Sequence, residues 1–263
     1  MSRLKVSVVT LTNGTRRGML ARATACFKAS TYPNTEHIVF DAAPYAGRTI
    51  GYIRNIANAC ATGELIAHAD DDDIFHPRRI EEQVALLLAS GKQCVGFREL
   101  LFWDTRDACP PDCEEEFGHV EHSAGEAWLY RNPGLGLCAG GTLLYRRELW
   151  EQCPFGDHPH EDRRWWSDNP AVSRGYLDAS AIPERPLPAM RTRYEQVPGG
   201  VVATMEPDPR GTQLGDFSPR FIAQIHGGNT EHIPRSVMQS GGGGVWRRVP
   251  EWDAHCQAVM QCA

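Results

Sequence analysis

The segment GELIAHADDDDIFHP, residues 63–77, decides how this chain is expected to fold. Its apolar run Leu65 to Ala69 predicts a short buried strand, and four consecutive aspartates, Asp70–Asp73, follow it directly. Pro77 suits the first turn of a helix that we expect to continue to about residue 89. The segment therefore predicts a strand whose carboxyl end carries a dense negative charge and leads into a helix.

Strands and helices alternate on either side of this segment. The patterns predict strands at Val6–Leu11, His37–Phe40 and Cys94–Phe97, and helices at about 16–29 and 50–61. This alternation predicts an α/β fold with a mainly parallel sheet flanked by helices. Ligands of such sheets bind beyond the carboxyl ends of the strands, where Thr12, Asp41 and Asp70 lie.

The second half of the chain is less regular. Residues 104–124 predict a surface loop, Gly140–Tyr145 and Phe221–Ile225 predict strands, and residues 147–152 predict a short helix. A helix over 161–174 is expected to be interrupted at Pro170. We therefore expect an irregular C-terminal half beside a regular N-terminal one.

Composition and charge exclude several classes of protein. The 263 residues are 41% apolar, and no run approaches the roughly 20 apolar residues that cross a bilayer. The N-terminus lacks the pattern of a signal peptide, and nine cysteines without such a signal are expected to be reduced thiols. The net charge of −6 gives no basic excess for gripping nucleic acid. We expect a cytoplasmic protein without a transmembrane segment or a nucleic-acid partner.

The acid run is the first candidate for chemistry. In an extended segment Asp70 and Asp72 would point to the same side, and their carboxylates repel unless a cation or hydrogen-bond donors neutralise them. Hard cations such as Mg²⁺ or Mn²⁺ prefer these oxygen ligands. The alternative is a solvated acidic turn that caps the following helix.

These residues amount to a resemblance. The segment 63–77 resembles the "GEYIAFLDxDD" signature of family-2 glycosyltransferases of the GT-A fold, and Val6–Val9, Tyr32–Val39 and Arg54-Asn55 resemble other parts of that family. The resemblance implies a GT-A-like, Rossmann-type sheet. It also implies a metal-dependent, inverting, hexosyltransferase-like enzyme that moves a sugar from a nucleotide-diphosphate sugar, a UDP-sugar being favoured, to an acceptor hydroxyl.

The resemblance also assigns roles to residues at the predicted ligand edge. Asp72 would hold Mn²⁺ or Mg²⁺ on the diphosphate, with His226 of the "HGxNTS"-like tail as a further ligand. The residues implied to bind the nucleotide-sugar are Thr12, Asn13, Asp41, Arg54, Asp70 and Asp71. The usual Pro-Thr-aromatic of the family is Leu11-Thr12-Asn13 here, so a ring that stacks on the base is missing and the nucleobase stays open.

The pair Glu161-Asp162 is the second candidate site. Inverting transfer needs a carboxylate that takes the proton of the acceptor hydroxyl. The resemblance places this pair at the family's "ED" motif, with Asp162 as the base, and the alternative is an acidic pair at a helix N-terminus. Trp165 and Trp166 could stack on an acceptor sugar, but we expect at most one of them to do so.

The resemblance divides one expected domain, 1–263, into a nucleotide-sugar half at 1–100, an acceptor half at 101–240 and a flexible glycine-rich segment at 241–263. Gly241–Gly244 could be a lid or a linker. Zinc binding by Cys109, Cys113, His119 and His122 is a minor alternative, since their spacing is too short for a zinc finger. Two other functions stay open: a non-catalytic nucleotide-sugar or glycan-binding module, and a sugar nucleotidyltransferase.

Overall fold

A computed structural model describes residues 3–105, 125–131, 140–158, 160–180, 190–197, 200–207, 220–225, 238–239 and 246–261. The chain divides into two compact units, of which the larger comprises Met1–Ile182 and Pro219–Ala263 and the smaller Pro183–Ser218. The smaller unit contains an antiparallel pair of strands. The candidate residues of the acid run and of the Glu-Asp pair all belong to the larger unit.

The secondary structure follows the predicted alternation in the first hundred residues. The strands are β1 Val6–Thr12, β2 Thr35–Asp41, β3 Leu65–His68, β4 Ile74–Phe75, β5 Cys94–Asp104, β6 Glu126–Arg131, β7 Leu144–Arg146, β8 Tyr176–Ser180, β9 Met190–Val197, β10 Gly200–Pro207, β11 Phe221–Ile225 and β12 Trp246–Arg248. The helices are α1 Arg17–Lys28, α2 Ile50–Ala59, α3 Arg79–Ser90, α4 Arg147–Gln152, α5 Glu161–Asp168, α6 Pro170–Gly175 and α7 Asp253–Gln261. Strands β9 and β10 form the pair in the smaller unit.

The large sheet is mixed and mostly parallel, which confirms the predicted fold class. Its strands lie in the order β12-β6-β5-β7-β3-β1-β2, with β11 and β8 also pairing with β5. Strand β1 pairs in parallel with β2 and β3, and β5 pairs in parallel with β8 and β11. Strand β7 runs antiparallel between β3 and β5. The carboxyl ends of β1, β2 and β3 consequently meet at one edge.

Alternate residues of the central strands face two different hydrophobic cores. Val8 and Leu65 belong to a core that includes residues of α3, whereas Val9 and Ile66 belong to a core with residues of α2, α4, α5 and α6. Every residue of β1 and β3 is buried. Helices on both faces therefore explain why these strands are mostly apolar, although Ser7, Thr10 and His68 are polar.

Three elements differ from the expectation. Gly140–Thr142 forms a 3₁₀ turn before β7, and β5 continues seven residues beyond Phe97 to Asp104. Residues 246–261 of the expected flexible segment form β12, which pairs with β6, and α7. The break at Pro170 is confirmed, because α5 ends at Asp168 and α6 begins at Pro170.

The carboxylate of Glu36 joins the amino ends of β1, β2 and β3. Glu36, on β2, accepts hydrogen bonds from Lys5 Nζ at 2.7 Å and from the Thr62 amide at 2.8 Å. Burial alone would raise the pKa of Glu36, but hydrogen bonds from Lys5, Ser7 and Thr62 outweigh it and lower the pKa to about 2. Glu36 therefore ties the starts of β1, β2 and β3 together.

Among the residues that the structure describes, we find no helix with the length and apolar character needed to cross a membrane.

Candidate functional site

The acid run forms a tight turn at the carboxyl end of β3. The Asp73 amide donates to the Asp70 carbonyl at 3.3 Å, so the extended geometry expected for Asp70 and Asp72 is wrong. Asp71, Asp72 and Asp73 are at most 8% exposed. Helix α3 begins after Arg78 without a side-chain cap, so the alternative of a solvated capping turn is also wrong. The run buries negative charge at the edge where ligands of this fold class bind.

Burial sets the protonation behaviour of the turn. It raises the pKa of Asp71 to about 6, against the opposing effect of Arg16. Burial, together with the charges of Asp72 and Asp70, also raises the pKa of Asp73 well above its ordinary value. The buried surroundings of the turn thus disfavour its ionised carboxylates, and a bound cation would stabilise them.

Arg16 contacts two of the aspartates directly. Its Nη1 donates to Asp72 Oδ2 at 2.6 Å, and its Nη2 lies 2.6 Å from Asp71 Oδ1. Arg16 precedes α1 and follows the loop that leaves β1, so it reaches the acid run from the neighbouring strand. No role was predicted for Arg16 from the sequence, although its position just beyond a strand end is a signal that could have identified it.

Arg54 joins the acid run to the second candidate site. Its Nε donates to Glu161 Oε1 at 2.7 Å, and its Nη2 donates to Asp70 Oδ1 at 3.1 Å. Burial alone would lower the pKa of Arg54, but Asp70 and Glu161 outweigh it and raise the pKa. Because Arg54 is 2% exposed, it supports the two acids from within the protein and is not placed to contact a nucleotide.

A second buried arginine, Arg79, contacts the backbone next to the turn. Arg79 donates from Nη2 to the carbonyls of His68 at 2.8 Å and Gly141 at 2.9 Å, and its guanidinium lies over the rings of Phe75 and Phe221. Burial lowers the pKa of Arg79 to about 10, with Asp73 acting in the opposite direction. Arg79 therefore joins the backbone just before the acid run to the neighbouring turn that contains Gly141.

Two glycines fill the space between the two acidic sites. A Cβ on Gly141 would lie 2.8 Å from Asp73 Oδ2 and 2.9 Å from Asp70 Oδ2. A Cβ on Gly140 would lie 3.2 Å from both Arg54 Nη2 and Glu161 Oε1. This close approach explains why both positions are glycine in the 3₁₀ turn 140–142, and it shows that the two acidic sites adjoin.

The two acids of the Glu-Asp pair have different environments. Glu161 is 4% exposed and paired with Arg54, and burial raises its pKa against the effect of that arginine. Asp162 is partly exposed, accepts a hydrogen bond from the Arg163 amide at 2.6 Å, and lies beside Gly140. Of the two, Asp162 is therefore the acid that an acceptor could reach.

The ends of β1 and β2 complete this edge of the sheet. Thr12 and Asp41 are register partners, so their backbones are adjacent. Asn13 Oδ1 accepts from the Thr15 amide at 3.1 Å, and Asp41 Oδ1 accepts from the Ala43 amide at 2.9 Å. Asn13 and Asp41 are exposed, whereas Thr12 is buried. The structure thus brings these predicted residues to the same edge as the acid run.

The remaining predicted residues divide into two groups. Trp165 is 1% exposed and packs in the core against Tyr145 and Phe155, so its ring is not available to an acceptor, whereas Trp166 is partly exposed. His226, Gly241–Gly244 and the Cys109, Cys113, His119 and His122 cluster lie outside the described residues.

The donor set fits a hard divalent cation that also takes ligands from a substrate. Within the described ranges, no group of three or more His, Cys, Asp or Glu side chains is arranged to hold a metal alone. The acid run supplies carboxylate oxygens only, which is the chemistry that Mg²⁺ and Mn²⁺ prefer. Cations of this kind are commonly held by one or two carboxylates together with substrate phosphates.

A sequence comparison relates part of the chain to a known family. Residues 46–153 match the profile of the family described as Glycosyl transferase family 2. The matched residues make up less than half of the chain. The match includes the acid run, Arg54 and the Gly140-Gly141 pair, and it confirms the resemblance predicted from the sequence. No protein with a curated description matches the chain significantly.

Solved structures with a similar arrangement include three named enzymes. A mannosyltransferase from Pyrobaculum calidifontis, PcManGT, in complex with GDP-Man and Mn²⁺, has a TM-score of 0.46 and 17% identity over 68% of this chain and 55% of its own. Staphylococcus aureus TarS (residues 1–349) with UDP-GlcNAc has a TM-score of 0.44 and 13% identity over 67% and 56%. Mannosyl-3-phosphoglycerate synthase from Rubrobacter xylanophilus has a TM-score of 0.41 and 14% identity over 78% and 85%. This chain spans little more than half the length of the first two.

Proposed function

We propose that the chain is an inverting glycosyltransferase that moves a sugar from a nucleotide-diphosphate sugar to an acceptor hydroxyl with the help of a divalent cation. The observation that carries this proposal is the buried Arg54, which pairs with Asp70 of one acidic site and Glu161 of the other. A donor site and a proton acceptor must be adjacent for one displacement to use both. The family match of residues 46–153 supports the same function.

On the donor side, the exposed Asn13 and Asp41, next to the buried Thr12 at the strand ends, would bind the nucleoside. Asp70 would lie beside the ribose and the diphosphate, and a UDP-sugar remains the favoured donor. Asp71, whose side chain is fully buried beside Arg16, would act on the nucleotide only through its neighbours in the acid run. We revise the role of Arg54 from a direct nucleotide contact to a residue that orients Asp70, because its side chain is buried. Polar side chains at the strand ends would thus contact the substrate, whereas the buried arginines support the protein around them.

Asp72, with His226, would hold Mn²⁺ or Mg²⁺ against the diphosphate. A bound cation of this kind supplies charge neutralisation for the departing nucleoside diphosphate. Within the protein, Asp72 lies 2.6 Å from Arg16, so its carboxylate is already oriented by a positive group. Arg79 holds the backbone around the turn, so that its carboxylates stay in place without rearrangement.

On the acceptor side, Asp162 would take the proton of the attacking hydroxyl. The acceptor oxygen forms a bond to the anomeric carbon, the bond from that carbon to the diphosphate oxygen breaks, and the proton passes to the Asp162 carboxylate. Glu161 cannot share this role, because Arg54 holds it in the interior. Trp166, four residues beyond Asp162 on α5 and partly exposed, is an aromatic side chain that an acceptor could contact.

The direct test is release of nucleoside diphosphate from UDP-, GDP- and TDP-sugars, measured with and without divalent cations. We expect one donor class to be turned over slowly with water alone. EDTA is expected to suppress the reaction and Mn²⁺ to restore it. Full activity after exhaustive chelation would contradict the metal dependence. Binding of a donor without any release would favour the non-catalytic binding module.

A further inference from the structure

Arg16 is carried to the acid run by a structured loop. After β1 ends at Thr12, the Gly14 amide donates to Thr12 Oγ1 at 3.2 Å, and Gly14 has the left-handed φ of 79° that favours glycine. Asn13 Oδ1 then accepts from the amide and the hydroxyl of Thr15. These contacts determine where the chain enters α1, and thus where the Arg16 side chain begins.

The contacts of Arg16 occupy carboxylate oxygens that a cation would need. Its two terminal nitrogens each lie 2.6 Å from an oxygen, one of Asp71 and one of Asp72. Charge-assisted pairs this short are among the stronger polar contacts in proteins. A guanidinium and a divalent cation therefore compete for the same carboxylate, Asp72.

Three arginines contact the acid run or its surroundings in the part of the chain that the structure describes, and of these Arg16 has the side chain that is able to leave. The side chain of Arg54 is 3% exposed and is held by two acids, and Arg79 is fully enclosed between two rings. The side chain of Arg16 is 19% exposed and lies at the edge of the sheet. Its guanidinium can thus move toward solvent, or toward an anion bound there, without opening the core.

We propose that Arg16 is a resident counter-ion of the acid run, which competes with the divalent cation for Asp72 and so makes cation binding depend on the nucleotide diphosphate. This inference rests on the function proposed above. A nucleotide diphosphate brings anionic oxygens that guanidinium groups bind in bidentate fashion, which gives Arg16 a new partner. The same ligand supplies the phosphate oxygens that complete the cation's coordination.

The first test is a titration of Mn²⁺ into nucleotide-free protein, with free Mn²⁺ measured by electron paramagnetic resonance. Arg16→Gln is expected to bind Mn²⁺ about tenfold more tightly than the wild type, because it loses the competing pair. Arg17→Gln is the matched control, since Arg17 is exposed and the change in net charge is the same. Its Mn²⁺ affinity is expected to stay within about twofold of the wild type. Unchanged or weaker Mn²⁺ binding by Arg16→Gln would overturn the proposal.

The second test measures the coupling between Mn²⁺ and the nucleotide. UDP and GDP are expected to increase the Mn²⁺ affinity of the wild type by a larger factor than that of Arg16→Gln, because the variant has no competitor to remove. Equal factors in the two proteins would overturn the proposed dependence on nucleotide. Arg16→Lys, which keeps the charge but not the two-pronged pairing, is expected to give a nucleotide-free Mn²⁺ affinity between the other two.

The outcomes also separate this inference from the proposed function. One outcome is that the wild type binds Mn²⁺ in the presence of a nucleotide diphosphate while its nucleotide-free Mn²⁺ affinity equals that of Arg16→Gln. In that case only the proposed role of Arg16 fails. If no protein binds Mn²⁺ with or without UDP or GDP, both the inference and the metal-dependent function fail. Melting temperatures of the three variants within a few degrees of the wild type would show that the proteins compared are folded.

Discussion

Glu36 and Asp71 lie at opposite ends of the same group of parallel strands and have opposite environments. At the amino ends, Glu36 accepts hydrogen bonds from Lys5, Ser7 and Thr62, and its pKa falls to about 2. At the carboxyl ends, burial raises the pKa of Asp71 to about 6 even though Arg16 lies beside it. The contrast indicates that the amino ends are built for stability and that the carboxyl ends store unfavourable charge for a ligand to relieve.

The sharpest way to test this contrast is Asp162→Asn, at the carboxyl-end site. We expect the transfer rate to fall about 100- to 10,000-fold, because the acceptor hydroxyl loses its general base. The free energy of unfolding is expected to change by less than about 1 kcal/mol, since Asp162 is partly exposed. Steady-state kinetics and urea denaturation measure the two effects. Near-normal turnover would remove Asp162 from the mechanism.

Replacement of the shared counter-ion should cost stability at the same edge. Arg54→Met leaves the buried Glu161 without its partner, and we expect a loss of about 3–5 kcal/mol in the free energy of unfolding. Arg48→Met is the control, because Arg48 is exposed and its replacement is expected to cost about 0.5 kcal/mol or less. A loss below about 1 kcal/mol for Arg54→Met would show that Arg54 does not support the two acids.

At the amino ends, Glu36→Gln should lower stability without lowering activity. We expect a loss of about 1–3 kcal/mol at pH 7, reduced by the partial exposure of Glu36. Because the folded-state pKa is below the unfolded value, this stabilisation is present above the unfolded pKa of 4.5 and is lost as the pH falls toward about 2. The difference between wild type and variant, measured by denaturation at several pH values, should shrink in that range. A constant difference would contradict the assignment.

The matched change at the carboxyl ends has the opposite sign. Asp71→Asn removes a carboxylate that burial disfavours, so we expect a gain of about 1 kcal/mol in the free energy of unfolding at pH 7 in EDTA. The partial loss of the Arg16 ion pair limits this gain. Urea denaturation measures the difference. A loss of stability as large as that of Glu36→Gln would show that the two edges are not different in kind.

The parts of this contrast that are local in sequence could be predicted, and the parts that depend on distant pairing could not. The apolar runs of β1 and β3 and the acids that follow β3 are contiguous, so their positions at the ligand edge follow from the sequence. The pairing of Arg54 with Glu161 joins residues 107 positions apart, and that of Arg16 with Asp72 joins residues 56 apart. A single sequence does not indicate which distant acidic residue an arginine will pair with.

The backbone conformation of two turns in the site could not be predicted from the sequence pattern either. The Asp70–Asp73 turn replaces the expected extended segment because the Asp73 amide bonds back to Asp70. The Gly140–Thr142 turn lies where a strand was predicted, and Asp70 and Asp73 leave no room for a side chain at Gly141 within it. The first difference comes from a local hydrogen bond, the second lies where elements distant in sequence pack together, and both concern the site more than the fold.

The central claim is that the carboxyl-end acids seat a cation against a nucleotide diphosphate, and the most direct measurement is the Mn²⁺ dependence of UDP and GDP binding by isothermal titration calorimetry. We predict that Mn²⁺ increases the affinity of the wild type for one of these nucleotides by about tenfold or more. Asp72→Asn should abolish this increase, whereas Asp168→Asn, at an exposed position on α5, should keep it. An undiminished Mn²⁺-dependent increase in Asp72→Asn would contradict the claim.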